Sequence, residues 1–418
     1  MKKILIVFGY KNREYEYLCL LKRFLQKKGF LVKIRYMNFE CYHEVFVWKP
    51  DFVILNQINQ NENIDFAKFA KLCGIRICVL NAELLWSNER IKIKYAPDCN
   101  DYVDYTIEAG DKSKLEVIHK YSNLDENKIK MLGTPKLDIY LPIIKKNLHI
   151  ASPYVHQIDR SKKTVCICSS FHPADLEWQK VKHNIVYQKI GEKNVNEFAR
   201  LYTLTRAQYI QLGKDLVKQG RWNVIFRMHP LENPQFYIEQ FRDTQNIIVD
   251  NTIRPSQLFK IADLIIHRSS TLALEAWTSD VKTISFNPVP NDLIPLDSFT
   301  NFEQVFFTKD ALLKYFPRIM KNKIMAYKQH DRKKFLKQEF GFVKVSNISA
   351  SEKIADFLAT INIFPKKSIF HPYIIYYYIL NSIRVICLKK YIYEIIGFIK
   401  GKEYMRIYKE NYVYNDNT

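Results

Sequence analysis

The stretch that decides the fold runs from residue 224 to residue 288. It opens with Val224-Ile225-Phe226-Arg227-Met228, a short apolar run that ends at His229-Pro230. Ile247-Ile248-Val249 is a second such run. Leu264-Ile265-Ile266 is a third, and it passes directly into His267-Arg268-Ser269-Ser270-Thr271. Residues 272–277 then read as a helix, and Lys282-Thr283-Ile284-Ser285-Phe286 as a further strand. Short apolar strands alternating with helices belong to a parallel sheet covered on both faces. In such a sheet, ligands bind beyond the carboxyl ends of the strands. His229 and the 267–271 cluster both fall there, so they are expected to face one site.

Ser269, Ser270 and Thr271 stand where a strand ends and a helix begins. A helix start carries unpaired N–H groups and the positive end of the macrodipole, which suits phosphate. The hydroxyls add donors, and Arg268 and His267 add charge. Glu275 lies one turn beyond Thr271 on the same helix face, where a carboxylate would accept hydrogen bonds from ribose hydroxyls. The same residues also fit a helix capped by Ser269 or Ser270, with no ligand at all. With His229 at the neighbouring strand end, the nucleotide site is the favoured reading.

A chain of 418 residues is long enough for two domains with full cores. Lys and Arg outnumber Asp and Glu by 64 to 43, a formal net charge of +21. That excess points to an anionic partner: nucleic acid, anionic lipid or a phosphorylated substrate. A nucleic-acid reading would rest on charge alone, so no nucleic-acid partner is expected. The eight cysteines are scattered, with no second pair at zinc spacing, which predicts reduced, buried thiols and a cytoplasmic protein. Met1-Lys2-Lys3 leads into a strand at residues 4–8, too short for a signal sequence. No run of about 20 uncharged apolar residues predicts a spanning helix.

Residues 3–8, 30–36, 51–55 and 76–80 read as strands, with helices over 14–28 and 64–72 between them. The helix over 14–28 places Leu18, Leu21, Phe24 and Leu25 on one face and stops at Gly29. This order predicts a first doubly wound domain over 1–140. Gly9 alone makes no dinucleotide fingerprint. Strand four ends at Asn81-Ala82-Glu83, where a carboxylate would face the cleft, so Glu83 is the candidate general base. A solvated loop glutamate is the competing reading. Further strands fall at 105–108 and 128–132, with a helix over 113–121. Residues 141–163 read as a linker. A second domain over 164–363 opens with the strand at 165–168, followed by Ser169-Ser170-Phe171-His172-Pro173 and a long helix over 197–218. Residues 299–358 read as mostly helical.

The tail, 364–418, differs in character. Residues 369–380 and 391–399 are apolar and rich in tyrosine, and residues 366–402 hold seven basic side chains against one acid, Glu394. Basic residues beside such stretches suit an anionic membrane surface. They also suit a helix that packs across the rest of the chain.

Three segments carry a resemblance. Arg227-Met228-His229-Pro230 looks like a His-Pro motif. His267-Arg268-Ser269-Ser270-Thr271-Leu272-Ala273-Leu274-Glu275 looks like a Ser-rich nucleotide motif. Gly133-Thr134-Pro135-Lys136-Leu137-Asp138 looks like a Gly-Asn-Pro-Arg-Phe-Asp segment that precedes an interdomain linker. Over residues 1–290 the chain resembles bacterial surface carbohydrate glycosyltransferases of the GT-B type. It is more distantly similar to the sialyltransferases and Kdo transferases that use CMP-activated sugars. The resemblance implies an α/β architecture of two Rossmann-like domains facing a cleft. The acceptor would lie on the first domain and the nucleotide on the second.

Residue by residue, the resemblance implies that His229 contacts donor phosphate. Ser269, Ser270 and Thr271 would hold phosphate, and Glu275 would hold ribose. The family's base motif has two acids before a glycine, whereas this chain has one acid, Glu83, and no glycine there. The implied reaction is inverting and independent of metal. Charge on the departing phosphate would be stabilised by His229, Arg268 and the helix start, and Glu83 would take the acceptor proton. No Asp-x-Asp pair is present to hold a metal, and no cofactor beyond the nucleotide-sugar donor is expected. The acceptor would be a surface glycan or a lipid-linked group, as in capsule or lipopolysaccharide assembly at the inner face of the cytoplasmic membrane. The alternatives are a CDP-polyol phosphotransferase of the teichoic-acid type, a nucleotide-sugar 2-epimerase, and a degenerate protein that binds glycan or membrane without catalysis.

Overall fold

The computed structural model describes residues 1–58, 61–80, 84, 99–111, 115–145, 152–182, 191–321, 329–344 and 348–362. The chain divides into two units. Among the described residues, the first combines 1–145 with 334–362, and the second spans 152–333.

The first unit is built on a six-stranded sheet with the order β2-β1-β3-β4-β5-β6. Its strands are β1 (Lys3–Phe8), β2 (Leu31–Tyr36), β3 (Phe52–Leu55), β4 (Arg76–Leu80), β5 (Tyr105–Glu108) and β6 (Ile129–Met131). All pairings are parallel, with Ile4 opposite Val32 on one side and Phe52 on the other. Because helices cover such a sheet, Ile4, Leu5, Ile6, Phe52, Val53 and Ile54 are all fully buried. The helix expected to begin at residue 14 begins earlier, at Lys11. The reason is local: the Glu14 carboxylate accepts from the N–H groups of Gly9 at 2.7 Å and Tyr10 at 3.2 Å. Those two donors are thereby paired at the mouth of the helix.

The second unit repeats the plan with the order β12-β11-β10-β7-β8-β9. Its strands are β7 (Lys163–Cys168), β8 (Trp222–Arg227), β9 (Ile247–Asp250), β10 (Leu264–His267), β11 (Lys282–Phe286) and β12 (Gln304–Phe306). The chain runs outward from β7 to β9, then crosses back to place β10 on the other side of β7. The order therefore reverses between β7 and β10, and in the first unit between β1 and β3. The helix expected from residue 197 starts at Glu192, preceded by Gly191 at φ 82°. Cys166 and Cys168, two residues apart on β7, share a face, with their sulfurs 3.6 Å apart, and every described cysteine is a free thiol.

Two sequence readings need correction. Residues 299–358 are not simply helical, because Gln304–Phe306 adds a sixth strand paired to β11, with Phe306 opposite Phe286. Three residues give too short a pattern to read as a strand. The second domain also does not extend to residue 363, because the chain returns to the first unit at Lys334. The returning helix, Ala350–Thr360, buries Ile354, Ala355 and Leu358. It packs along the Lys11–Lys27 helix. Lys28 pairs with Asp356, and the Lys2 ammonium donates to the Ile361 carbonyl at 2.7 Å. Asp138, from the Gly133–Asp138 motif, holds the start of this helix. Its buried carboxylate accepts from the Ala350 N–H at 3.0 Å, the Ser351 N–H at 2.7 Å and the Ser351 hydroxyl at 2.6 Å. That motif therefore does structural work inside the first unit.

Candidate functional site

Open α/β sheets bind ligands where the strand order reverses. In the second unit that crevice lies between the loops leaving β7 and β10, with the loop leaving β8 beside them. The β7 and β8 loops are joined by one side chain that the sequence reading missed, Glu232. It is 3% exposed. Its carboxylate accepts from the His229 N–H, the Phe171 N–H and the Tyr237 hydroxyl, each at 2.7 Å, and from the Ser169 hydroxyl. Burial pushes its carboxyl above the ordinary range, against the hydrogen bonds that pull it down. The available signal was its place three residues after His229, just before the helix Pro234–Gln240.

His229 is half-buried on this locked loop. Its Nδ1 accepts from the Leu231 N–H at 3.2 Å. In the neutral ring that bond assigns the proton to Nε2, making Nε2–H a donor. The ring stacks on His172, with centroids 5.1 Å apart and planes 26° apart. His172 comes from the loop after β7, so two histidines from different strand ends meet here. Arg227 is buried at the end of β8, and its Nε donates to the Ile253 carbonyl at 3.3 Å. It braces the loop after β9.

The Ser-rich loop sorts into separate roles. His267 is fully buried: its Nδ1 accepts from the Ser270 N–H at 3.2 Å, and its Nε2 lies 2.9 Å from Glu303, at ion-pair distance but off the hydrogen-bond line. Burial raises the Glu303 carboxyl, but His267, Thr283 and Arg332 outweigh it and bring it below its ordinary value. His267 therefore supports the loop from inside and does not face the strand edge. Ser269 is bound reciprocally to Asp297, donating to its carboxylate at 2.6 Å and accepting from its N–H at 2.9 Å. The Ser270 hydroxyl accepts from the Leu272 N–H at 3.3 Å, which pairs one amide of the helix start. Thr271 is the N-cap residue of Leu272–Thr278 and makes no side-chain cap bond. Glu275 is 4% exposed, so its carboxyl sits within the packed unit rather than at the edge.

Arg268 is the exception among these supports. It is 6% exposed, at the carboxyl end of β10, beside the reversal point. Its guanidinium donates to the Ile294 carbonyl and lies 5.9 Å from the Tyr202 ring. Its Nε has no partner among the described residues, and no described carboxylate lies within ion-pair distance of it. A buried cation without a counter-charge is costly, and it marks a place for an anion.

The structure thus places His229, His172, Arg268 and the half-buried Ser269–Thr271 after the carboxyl ends of strands of one sheet, with His229 and His172 in contact, and buries Arg227, His267 and Glu275. Glu83 lies outside the described residues, as does the whole tail from residue 363. Of the acids after the next strand, Glu108 is buried and accepts from the Thr106 hydroxyl at 2.8 Å, and Asp111 is exposed. Among the described residues, no group of three or more His, Cys, Asp or Glu side chains is arranged for a metal ion. No described helix is long and apolar enough to cross a membrane.

No family model and no curated protein matches the sequence. Solved structures do match the fold. The UDP-GlcNAc 2-epimerase of Methanocaldococcus jannaschii superposes with a TM-score of 0.51 at 17% identity, over 85% of this chain and 99% of that one. MnaA of S. aureus gives 0.53 at 12% identity, over 88% and 100%. The wall teichoic acid polymerase TagF gives 0.50 at 14% identity, over 85% and 88%. At such identities the likeness concerns the fold, which is the two-unit α/β fold of the GT-B type, as the resemblance in the sequence implied.

Proposed function

We propose that the chain is an inverting, metal-independent glycosyltransferase whose second unit holds the nucleotide of an activated sugar, CMP being the favoured nucleotide. The observation that carries this reading is Arg268, a buried guanidinium with no counter-charge among the described residues, at the reversal point of a nucleotide-binding type of sheet. Similar folds solved with UDP-GlcNAc and UDP, or with UDP, are consistent with it. In the reaction an acceptor hydroxyl attacks the anomeric carbon, and the bond from that carbon to the phosphate oxygen breaks. The electron pair leaves with the nucleotide. Arg268 and the Nε2–H of His229 neutralise the charge that develops on the phosphate. The acceptor proton goes to a carboxylate, for which Glu83 is the candidate. The acceptor is a surface glycan or a lipid-linked group, and the basic tail holds the protein at the inner face of the cytoplasmic membrane.

The test is a thermal-shift panel of CMP, CDP, UDP and GDP, because a ligand that binds the folded state raises the melting temperature. The expected result is a shift with CMP or CDP that Arg268→Leu abolishes. A panel without any shift refutes the nucleotide site. Turnover of CDP-glycerol in place of a CMP-sugar moves the assignment to polyol-phosphate transfer. Interconversion of a UDP-sugar without acceptor moves it to epimerisation, and nucleotide binding without turnover of any donor moves it to a non-catalytic role.

A further inference from the structure

The reversal point of the first sheet, between β1 and β3, also carries a cavity. It has a volume of about 110 Å³ and is walled by the β1 exit at Gly9 and Tyr10, the β2 exit at Tyr36, and the β3 exit at Asn56. One water needs roughly 10–15 Å³ by this measure, so the space admits several waters or one edge of a sugar-sized ring. Asn56 is 7% exposed. Neither its amide oxygen nor its amide nitrogen has a partner among the described residues. Buried amides are almost always paired, because leaving one unpaired costs its full desolvation. Here a donor and an acceptor are held together, unpaired, beside an open space at the place where such sheets bind ligands.

The lining also decides the charge of the ligand. At many strand exits the free backbone N–H groups cradle phosphate. Here the Gly9 and Tyr10 N–H groups are already taken by the carboxylate of Glu14. Glu62 adds a second acid to the wall, and among the described residues no basic one lines it. This is an acidic pocket in a chain of net charge +21. It disfavours anions, and the side-by-side donor and acceptor of Asn56 match hydroxyl groups, each of which donates and accepts.

We infer that this cavity binds an uncharged, hydroxyl-bearing group, a sugar or polyol, through the Asn56 amide. Its role as the acceptor's terminal group rests on the transferase reading above; its binding does not.

The probes are glucose, N-acetylglucosamine, glycerol and ribitol, with inorganic phosphate and glycerol 3-phosphate as anionic counterparts. Each is measured by saturation-transfer NMR on the full chain. Two variants accompany the panel. Asn56→Leu removes both amide groups at similar volume. Gly9→Leu fills space, since a Cβ at Gly9 would meet nothing within 4 Å and its φ is not positive. The expected result is saturation of at least one uncharged probe, weakened tenfold or more in both variants. The CMP or CDP thermal shift of the second unit should stay unchanged, which separates failure here from failure of the nucleotide site. Asn56→Leu should also raise the melting temperature of the free chain by about 2–4 °C, by removing an unpaired buried amide. A merely structural asparagine would give the opposite sign. Silence from every uncharged probe overturns the inference. So does Asn56-dependent binding of the anions, or a lowered melting temperature in Asn56→Leu.

Discussion

Replacing Glu232 by Gln tests whether one buried carboxylate holds the candidate nucleotide edge together. One carboxylate oxygen serves the His229 N–H and the Ser169 hydroxyl, and the other serves the Phe171 N–H and the Tyr237 hydroxyl. A glutamine keeps one acceptor oxygen and turns the other into an NH₂. With the NH₂ toward Phe171, the Phe171 N–H and the Tyr237 hydroxyl face a donor; with it toward His229, the His229 N–H and the Ser169 hydroxyl do, though that N–H keeps the Ser169 oxygen at 3.2 Å. The hydroxyl can rotate and accept, but the N–H cannot. An orphaned buried N–H costs about 1–3 kcal/mol, and the surviving bonds lose their charge assistance. Relief of the buried charge and the Ser169 contact offset part of this, leaving a net loss of about 1–2 kcal/mol. For a unit of this size that is a fall of about 2–8 °C in melting temperature. The loop carrying His229 loosens at the same time, so the nucleotide-induced thermal shift should shrink as well. Calorimetry with and without CMP measures both effects. If Glu232→Gln melts like the parent and keeps its full nucleotide shift, Glu232 is not the brace described here.

Four further outcomes follow from the same geometry. His229→Ala should weaken nucleotide binding and slow turnover at least tenfold, about 1.4 kcal/mol, with little change in melting temperature because the ring is only half-buried; unchanged turnover removes it from the site. Burial pushes Asp138 from 3.8 up to about 6, against its bonds to Ser351 and Ala350. A raised folded-state pKa means that stability from this group is full below pH 3.8 and is lost as pH rises through 6. The loss is on the order of 3 kcal/mol, visible in urea melts as a downward slope that Asp138→Asn lacks. Glu83→Gln should lower turnover while leaving the nucleotide thermal shift intact; normal turnover moves the base elsewhere, Asp111 being the exposed acid after the next strand. Truncation after Ile363 should abolish sedimentation with anionic vesicles, which in the full chain should be reversed by high salt; sedimentation that does not depend on the tail or on lipid charge ends the membrane reading.

The parallel sheets were legible because their evidence is local. Apolar runs such as Ile4–Phe8 and Leu264–Ile266 are buried on both faces, and burial on both faces is what makes a run continuously apolar. The strand ends were legible for the same reason, and they placed His229, Arg268 and the serines at one edge. A strand end, however, does not tell which way each side chain turns or what already occupies it. His267 and Arg268 are neighbours in sequence, yet one has the Glu303 carboxylate beside it and the other has no counter-charge among the described residues. The difference lies in Glu303, 36 residues further on, brought alongside by the sixth strand. Glu232 reads as a loop acid until Ser169 and Phe171, some 60 residues earlier in the chain, are placed against it. The 350–360 helix advertises an apolar face, but an amphipathic face carries no address. Asp138 and the Lys11–Lys27 helix supply one, and they assign it to the first unit. Element type follows from the period of the chain; the pairing of a buried charge or an apolar face is a choice among distant partners, and only the packed tertiary structure makes it.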